Sequence, residues 1–183
     1  MKPPFDIAAD LDTPVSAFLK LRAFQPRFLL ESVEGGNRVG RYSFIGFGAV
    51  STFVVRGDEL FEDGVCRPVP DTLDGLLDAF RAALARAPQP GPAVPNLPFR
   101  GGLVGAAAYD LVRRFERLSA QHPKAQAGEG HPDAAYMAPE SLLVFDHVTR
   151  RVALLHAGSE EERLRLRSDV MTAMRGPTLL PLQ

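Results

Sequence analysis

The residues that set the architecture are FLLESVEGGNRVGRYSFIG, positions 28–46. An apolar run is followed by an acid and a hydroxyl, and a Gly-Gly pair then supplies turn chemistry ahead of a second apolar run. If the two runs form strands that fold back on each other, Glu31 and Ser32 lie close to Arg41, Tyr42 and Ser43. Acceptors, a cation and hydroxyls then border one apolar surface, which is the chemistry that a small zwitterionic ligand needs.

The composition is that of a globular protein with a substantial core. The chain has 183 residues, of which 45% are hydrophobic and 23% charged, and its formal net charge is −1. This balance predicts no nucleic-acid partner, and the apolar runs are too short to predict a membrane span. The first residues lack the apolar core of a signal peptide, so a cytoplasmic location is the default expectation. The single cysteine, Cys66, and four scattered histidines predict neither a disulfide nor a metal site, and no cofactor is expected.

The first half of the chain predicts an antiparallel meander between two helices. Thr13 caps a short helix that ends before Pro26, because the residue before a proline is driven out of the helical region. The turns that follow are too short for a parallel crossover. The predicted strands cover 27–33, 41–55, a return from Leu60, and 65–69. The second helix covers 71–87, and its predicted apolar stripe is Leu73, Leu76, Leu77, Phe80 and Leu84.

The second half predicts a stiff connector, a close-packed strand and a hairpin. Five prolines fall within residues 88–98, which indicates an irregular connector inside the fold. The small residues of 101–110 favour a strand in close backbone contact over a phosphate-binding loop. The remaining predicted elements are a short helix over 111–118, a mobile loop over 119–139, and strands over 141–146 and 151–156.

Two charged features of this half have competing interpretations. Asp146-His147 is either an acid/base pair or a hairpin end bonded to the turn backbone, and the second interpretation is favoured. Ser159 caps a last helix, on which Arg163, Arg165 and Arg167 predict a solvated face. Taken together, the elements predict an α+β fold: an antiparallel sheet built from hairpins, with two or three packed helices.

Several segments together resemble the N-terminal region of anthranilate synthase component I, the large subunit of the enzyme that converts chorismate to anthranilate. The segments 28–34 and 40–46 carry the strongest likeness. Further pieces agree in the same order: TPV at 13–15 with LKL at 19–21, GGLVG at 101–105 with YDLVR at 109–113 and Glu116, and VFDH at 144–147. The resemblance covers nearly the whole chain and points to the chorismate-utilising enzymes.

The resemblance implies a regulatory role. In that family the N-terminal region binds L-tryptophan, the end product of the pathway, and communicates with a C-terminal chorismate-binding domain. Leu30, Glu31 and Ser32 match the inhibitor-pocket motif, in which Glu31 or Ser32 would accept from the ammonium group and apolar walls would hold the indole. Arg41, Tyr42 and Ser43 match the second segment, where they either border this pocket or form a structural strand with a surface ion pair.

The resemblance also implies what lies outside this chain. We expect residues 1–183 to form a single N-terminal regulatory domain, with the catalytic chorismate-binding domain and its Mg²⁺ absent. The chain alone would then be inactive and would bind tryptophan weakly or not measurably, because one wall of the pocket is missing. The expected partners are that domain and a glutamine amidotransferase subunit, and an exposed apolar patch is expected to cause self-association.

Two alternatives remain open from the sequence. One is the N-terminal region of aminodeoxychorismate synthase component I, which serves folate synthesis. The other is an interaction module that docks the amidotransferase subunit and binds no small molecule.

Overall fold

The computed structural model describes residues 4–8, 12–31, 40–116 and 131–177. The α-helices in these ranges are α1 (Pro14–Lys20), α2 (Leu73–Arg86) and α3 (Glu160–Arg175), with 3₁₀ turns at Leu21–Phe24 and Tyr109–Arg114. The strands are β1 (Phe5–Ala8), β2 (Phe28–Leu30), β3 (Tyr42–Arg56), β4 (Glu59–Glu62), β5 (Val65–Pro68), β6 (Val104–Ala107), β7 (Ala134–Asp146) and β8 (Arg151–His156). Within the described ranges, no helix combines the length and the apolar character that a bilayer crossing requires.

The strands form one antiparallel arrangement. They are hydrogen-bonded in the order β1-β8-β7-β3-β4-β5, while β2 also pairs with β3, and β6 also pairs with β7. Two-residue turns join β3 to β4 and β4 to β5, and connections this short allow only antiparallel neighbours. The predicted α+β fold with a hairpin-built antiparallel sheet is thereby confirmed.

The chain divides into two compact units. The first contains Met1–Ala49, Pro88–Gly101 and Pro139–Gln183, and the second contains Val50–Ala87 and Gly102–Ala138. Strands β3 and β7 each contribute residues to both units. That residues 1–183 act as a single regulatory domain stays a prediction.

The first unit is built on the hairpin of β8 and the last six residues of β7, which is buried on both faces. Successive side chains of a strand point to opposite faces, so each face of the hairpin needs its own cover. One cluster combines Leu143, Phe145, Val152 and Leu154 with Ala17, Leu21, Val170 and Met174 of the helical segments. The other combines Leu142, Val144, Ala153 and Leu155 with Phe44, Val94 and Leu97.

The second unit packs α2 on the strands β3 and β4. Leu76 and Ala79 of α2 share a core with Phe53, Val55 and Leu60, all of which are buried. The ring of Phe80 also lies 4.3 Å, centroid to centroid, from the ring of Phe53. The predicted apolar stripe is therefore only partly right: Leu76 is 1% exposed, but Leu73 and Leu84 are 37% and 51% exposed.

The predicted caps Thr13 and Ser159 are confirmed, and hydrogen bonds explain where the helices begin. Thr13 and Ser16 form a reciprocal capping box at α1, and Ser159 and Glu162 form another at α3. At α2 the capping residue is Thr72, whose hydroxyl accepts from the Gly75 amide at 3.1 Å. These bonds satisfy amide groups that have no partner inside the helix.

Two strand assignments correct the sequence prediction. Residues 134–139 belong to β7 and not to a mobile loop, because β6 supplies a hydrogen-bonded partner from Val104↔Met137 to Ala107↔Ala134. The part of the predicted loop that covers 119–130 lies outside the described residues. Strand β1 was not predicted at all, and it pairs with β8 from Phe5 to Ala8. In both cases the partner strand is remote in sequence, so local composition carries no signal for it.

The predicted solvated arginine face of α3 is wrong at Arg163. This side chain is buried at 5% exposure, and its Nε and Nη2 donate to Glu160 at 2.7 Å each. Its Nη1 donates to the Leu154 carbonyl at 3.3 Å. Arg165 is exposed as predicted, whereas Arg167 is largely covered and donates to Asp6 at 2.9 Å. A charged residue on the inner side of a helix is tolerated when every donor finds an acceptor.

Close backbone packing at Gly105, predicted from the small residues of 101–110, is confirmed. A Cβ at Gly105 would lie 1.9 Å from the Ala135 carbonyl oxygen, so the strands must separate to admit one. We expect Gly105→Ala to lower the free energy of unfolding by more than about 2 kcal/mol. Ala106→Ser, at the exposed neighbouring position, should change it by less than about 0.5 kcal/mol. Urea unfolding of both variants checks this, and equal midpoints would contradict it.

Candidate functional site

The β2–β3 pair predicted from the sequence is confirmed. Its register is Phe28↔Gly46, Leu29↔Ile45 and Leu30↔Phe44. The ring of Phe28 crosses over Gly46, where a Cβ would lie 2.4 Å from two ring carbons. Gly46 is therefore the residue that lets an aromatic side chain cover this part of the sheet.

The predicted ligand residues of the first strand lie at its exposed end. Leu30 is 38% exposed, and Glu31, the next residue, is also exposed. The last pair in the register is Leu30↔Phe44, and the next residues of β3 beyond Phe44 are Ser43 and then Tyr42. Ser32 lies outside the described residues. The structure therefore brings Leu30 and Glu31 to the end of β3 that carries the second predicted segment.

Arg41 forms a two-point ion pair with Asp146. Its Nε donates to Oδ1 at 3.1 Å and its Nη2 donates to Oδ2 at 2.7 Å. The carboxylate is 3% exposed and the guanidinium side chain 40% exposed. The paired geometry fixes both groups, since a planar guanidinium matches the two oxygens of a carboxylate.

Asp146 is also the acceptor for the turn that follows it. The amides of Val148 and Thr149 donate to its Oδ1 at 3.0 and 3.4 Å. Burial alone would raise the pKa of Asp146, but the hydrogen bonds from Arg41 and from the Thr149 and Val148 amides outweigh it and lower the pKa. The hydrogen bond to Asp146 is likewise the main cause that raises the pKa of Arg41. The favoured interpretation of Asp146 as a hairpin end bonded to the turn is confirmed.

The residues next to Arg41 also connect β3 to this turn. The His147 amide donates to the Arg41 carbonyl at 2.9 Å. Ser43 is 2% exposed, and its hydroxyl lies 2.8 Å from the Nε2 of His147, in a hydrogen bond whose direction depends on the ring tautomer. This hydrogen bond joins β3 to the turn that carries His147.

Tyr42 completes the site as its aromatic edge. Its ring stacks on Phe5 of β1 at 6.4 Å between centroids, with 29° between the ring planes. The guanidinium carbon of Arg41 lies 4.9 Å from the centre of the Tyr42 ring, which is a cation–π contact. The site therefore contains one exposed acid, one partly exposed cation and an aromatic face within a single region of the first unit.

Sequence reasoning missed how Arg41, Ser43, Asp146 and His147 combine. It identified both pairs separately and left the ion pair as one of two alternatives for Arg41. A signal was present in the sequence. Arg41 with Ser43 close by can form an ion pair and a hydrogen bond with Asp146 and its neighbour His147. Only the order of strands β3 and β7 brings the two pairs together. In the part of the chain that the structure describes, no group of three His, Cys, Asp or Glu side chains could hold a metal ion.

The fold and this site define a class of protein: an α+β protein with an open antiparallel sheet and a polar edge where β2 ends and β3 begins. No family model matches the chain. Curated proteins do match the chain. Anthranilate synthase component 1 of Thermus thermophilus is 41% identical over 160 residues, which covers 87% of this chain and 32% of that protein. The protein of the same name from Synechocystis is 37% identical over 185 residues, which covers 96% of this chain and 34% of that protein.

A solved structure agrees at the level of the fold. The crystal structure of anthranilate synthase component I from Streptococcus pneumoniae matches 99% of this chain and 38% of its own, with a TM-score of 0.60 and 22% identity. The curated relatives, at 41% and 37% identity, confirm the resemblance to anthranilate synthase component I. The chain spans about one third of the length of the curated relatives it matches, a share consistent with their N-terminal region.

Loss of the Asp146 charge should destabilise the first unit in a pH-dependent way. Because its folded pKa is lowered, its stabilising effect is present above the unfolded value of about 3.9 and disappears as pH falls through the folded pKa. We expect Asp146→Asn to cost about 1–2 kcal/mol at pH 7 and to flatten the acid limb of stability against pH.

The matched control is Asp78→Asn. Asp78 also pairs with an arginine at 2.7 Å, but both side chains are about 70% exposed. Solvent screens such a pair, so the change should be below about 0.5 kcal/mol. Thermal melts of both variants between pH 2 and pH 7 measure the difference, and parallel curves for wild type and Asp146→Asn would refute the assignment.

Proposed function

We propose that this chain is the N-terminal region of an anthranilate synthase component I, which converts chorismate to anthranilate in tryptophan biosynthesis. The observation that carries the proposal is the match of nearly the whole chain to one third of relatives that bear this name. These names also favour the tryptophan branch over aminodeoxychorismate synthase. In this proposal the chain is a regulatory domain without activity of its own, located in the cytoplasm.

The regulatory role assigned here is feedback inhibition by L-tryptophan. Glu31 would accept a hydrogen bond from the ammonium group, as would Ser32, the next residue in the sequence. The apolar residues next to Leu30 would hold the indole. The exposed position of Glu31 at the end of β2 supports this assignment. Direct contact between Ser43 and the effector stays a prediction, as does that of Tyr42.

Arg41 can bind an effector while it keeps its ion pair with Asp146. A guanidinium has five N–H groups, and the bonds to Asp146 use one on Nε and one on Nη2. The Nη1 group of a side chain that is 40% exposed is then the natural donor to the effector carboxylate. Asp146 would act as a positioning residue, because it fixes the plane of the guanidinium.

In this proposal a second domain and a partner subunit act together with this chain. A C-terminal chorismate-binding domain with Mg²⁺ would supply the chemistry and the second wall of the tryptophan pocket, and a glutamine amidotransferase subunit would supply ammonia. Leu30, exposed at the rim, is suited to be covered by such a domain. Until it is covered, the chain is expected to self-associate.

The effector site is tested on this chain by thermal unfolding with L-tryptophan. If one wall of the pocket is missing, binding is weak, and 10 mM tryptophan acting with a Kd of about 1 mM stabilises by about 1.4 kcal/mol. Ser32→Ala should abolish this gain, whereas Ser168→Ala, at an exposed position on α3, should keep it.

Three outcomes would contradict the assignment. They are a gain that survives Ser32→Ala, no gain at all, and sub-micromolar binding, which would mean that no wall is missing. Stabilisation by an amidotransferase subunit alone would instead support an interaction module that binds no small molecule.

A further inference from the structure

The first unit contains a second concave site, a cavity of about 400 Å³ beside Gly48. Small-molecule pockets have volumes of roughly 300–1,000 Å³, so this cavity has room for a ligand of two fused rings. Its walls come from the 3₁₀ turn after α1 and from β3, β7, β8 and α3. Leu30, Glu31 and residues 41–43 do not line it, so it is separate from the site proposed for tryptophan.

One side of the cavity is apolar and aromatic. Phe24 and Phe47 meet edge to face, with 6.2 Å between ring centroids and 79° between ring planes. Leu166 of α3 and Ala49 of β3 extend the same wall. Such a surface favours a flat hydrocarbon body, which gains both from leaving water and from contact with the rings.

The other side is polar and carries negative charge. Ser141 is 1% exposed, and its hydroxyl lies 2.9 Å from Nδ1 of His156. A hydroxyl has one proton and two lone pairs, so this single hydrogen bond leaves Ser141 able to accept another. Glu140 is half-buried, and its carboxylate makes no hydrogen bond or ion pair with any residue that the structure describes.

Gly48 keeps this polar corner open. Its backbone has φ +83°, a conformation that residues with side chains rarely adopt. A Cβ at this position would lie 3.6 Å from the Ser141 hydroxyl and 3.9 Å from Oε2 of Glu140. A methyl group would therefore occupy the space in front of both oxygens, which the glycine leaves to a ligand.

The charge of the lining selects the class of ligand. Among the described residues that line the cavity there is one carboxylate, that of Glu140, and neither lysine nor arginine. We propose that the cavity binds a primary amine with an aromatic body. The ring lies against Phe24, Ala49 and Leu166, and the ammonium group donates to Glu140 beside Ser141. A zwitterionic amino acid is disfavoured, because its carboxylate would face Glu140 and the described lining contains neither lysine nor arginine.

The probe for this site is tryptamine, measured by isothermal titration calorimetry on the 183-residue chain. We expect one tryptamine per chain. Glu140→Gln should weaken binding at least about tenfold, since it removes one charge-assisted hydrogen bond. The matched control is Glu59→Gln, at an exposed position on β4 that lines no part of the cavity, and it should leave the Kd within about twofold.

Two further measurements keep the proposal falsifiable if Glu140→Gln does not fold. Ala49→Phe, at an exposed strand position that lines the cavity, should block tryptamine by filling the apolar side. Indole, without the ammonium group, and L-tryptophan, with an added carboxylate, should each bind at least about tenfold more weakly than tryptamine.

The inference is overturned if tryptamine does not bind, if Glu140→Gln and Glu59→Gln weaken it equally, or if indole binds as tightly. None of these outcomes bears on the tryptophan pocket, because the two sites share no residue in the part of the chain that the structure describes. A failure here is therefore distinguishable from a failure of the proposed function.

Discussion

Burial of the β7–β8 hairpin on both faces is the constraint on which the first unit depends. Residues 141–146 and 152–155 are all buried. A strand in this position must find backbone partners on its edges and apolar cover above and below it. Helices α1 and α3 cover one face, and Phe44 with the proline-rich segment covers the other. The proline-rich segment is therefore part of the core of the first unit, since Val94 and Leu97 lie inside it.

The same hairpin places polar groups at its two ends, and both candidate sites are built there. At one end Asp146 and His147 hold Arg41 and Ser43, and this fixes the strand that carries the proposed effector residues. At the other end Ser141 pairs with His156, across the strand pair from which the cavity opens. Buried polar groups need partners, so each end of an apolar hairpin concentrates hydrogen bonding where ligands can use it.

Local sequence signals predicted those helices and strands whose starts and ends are set by residues close in the chain. Thr13 and Ser159 marked the helix starts because capping depends on residues three positions apart. Strand β8 was predicted with the observed bounds because turn residues flank its apolar run. Strands β1 and the first part of β7 were missed because their stability comes from partners far away in the chain. The burial of Arg163 was missed for the same reason: its acceptors include the Leu154 carbonyl of another element.

By itself the sequence determined the α+β class, the antiparallel hairpins and the likeness to anthranilate synthase component I. Those features depend on turn chemistry, apolar periodicity and short motifs, all of which are read over a few residues. Only the tertiary structure decided which charged groups meet. Arg41 and Asp146 are separated by 105 positions, and Gly48 and Ser141 meet at the cavity from different strands. The order of strands in a sheet brings such residues together, and that order is set by the joint burial of the whole core.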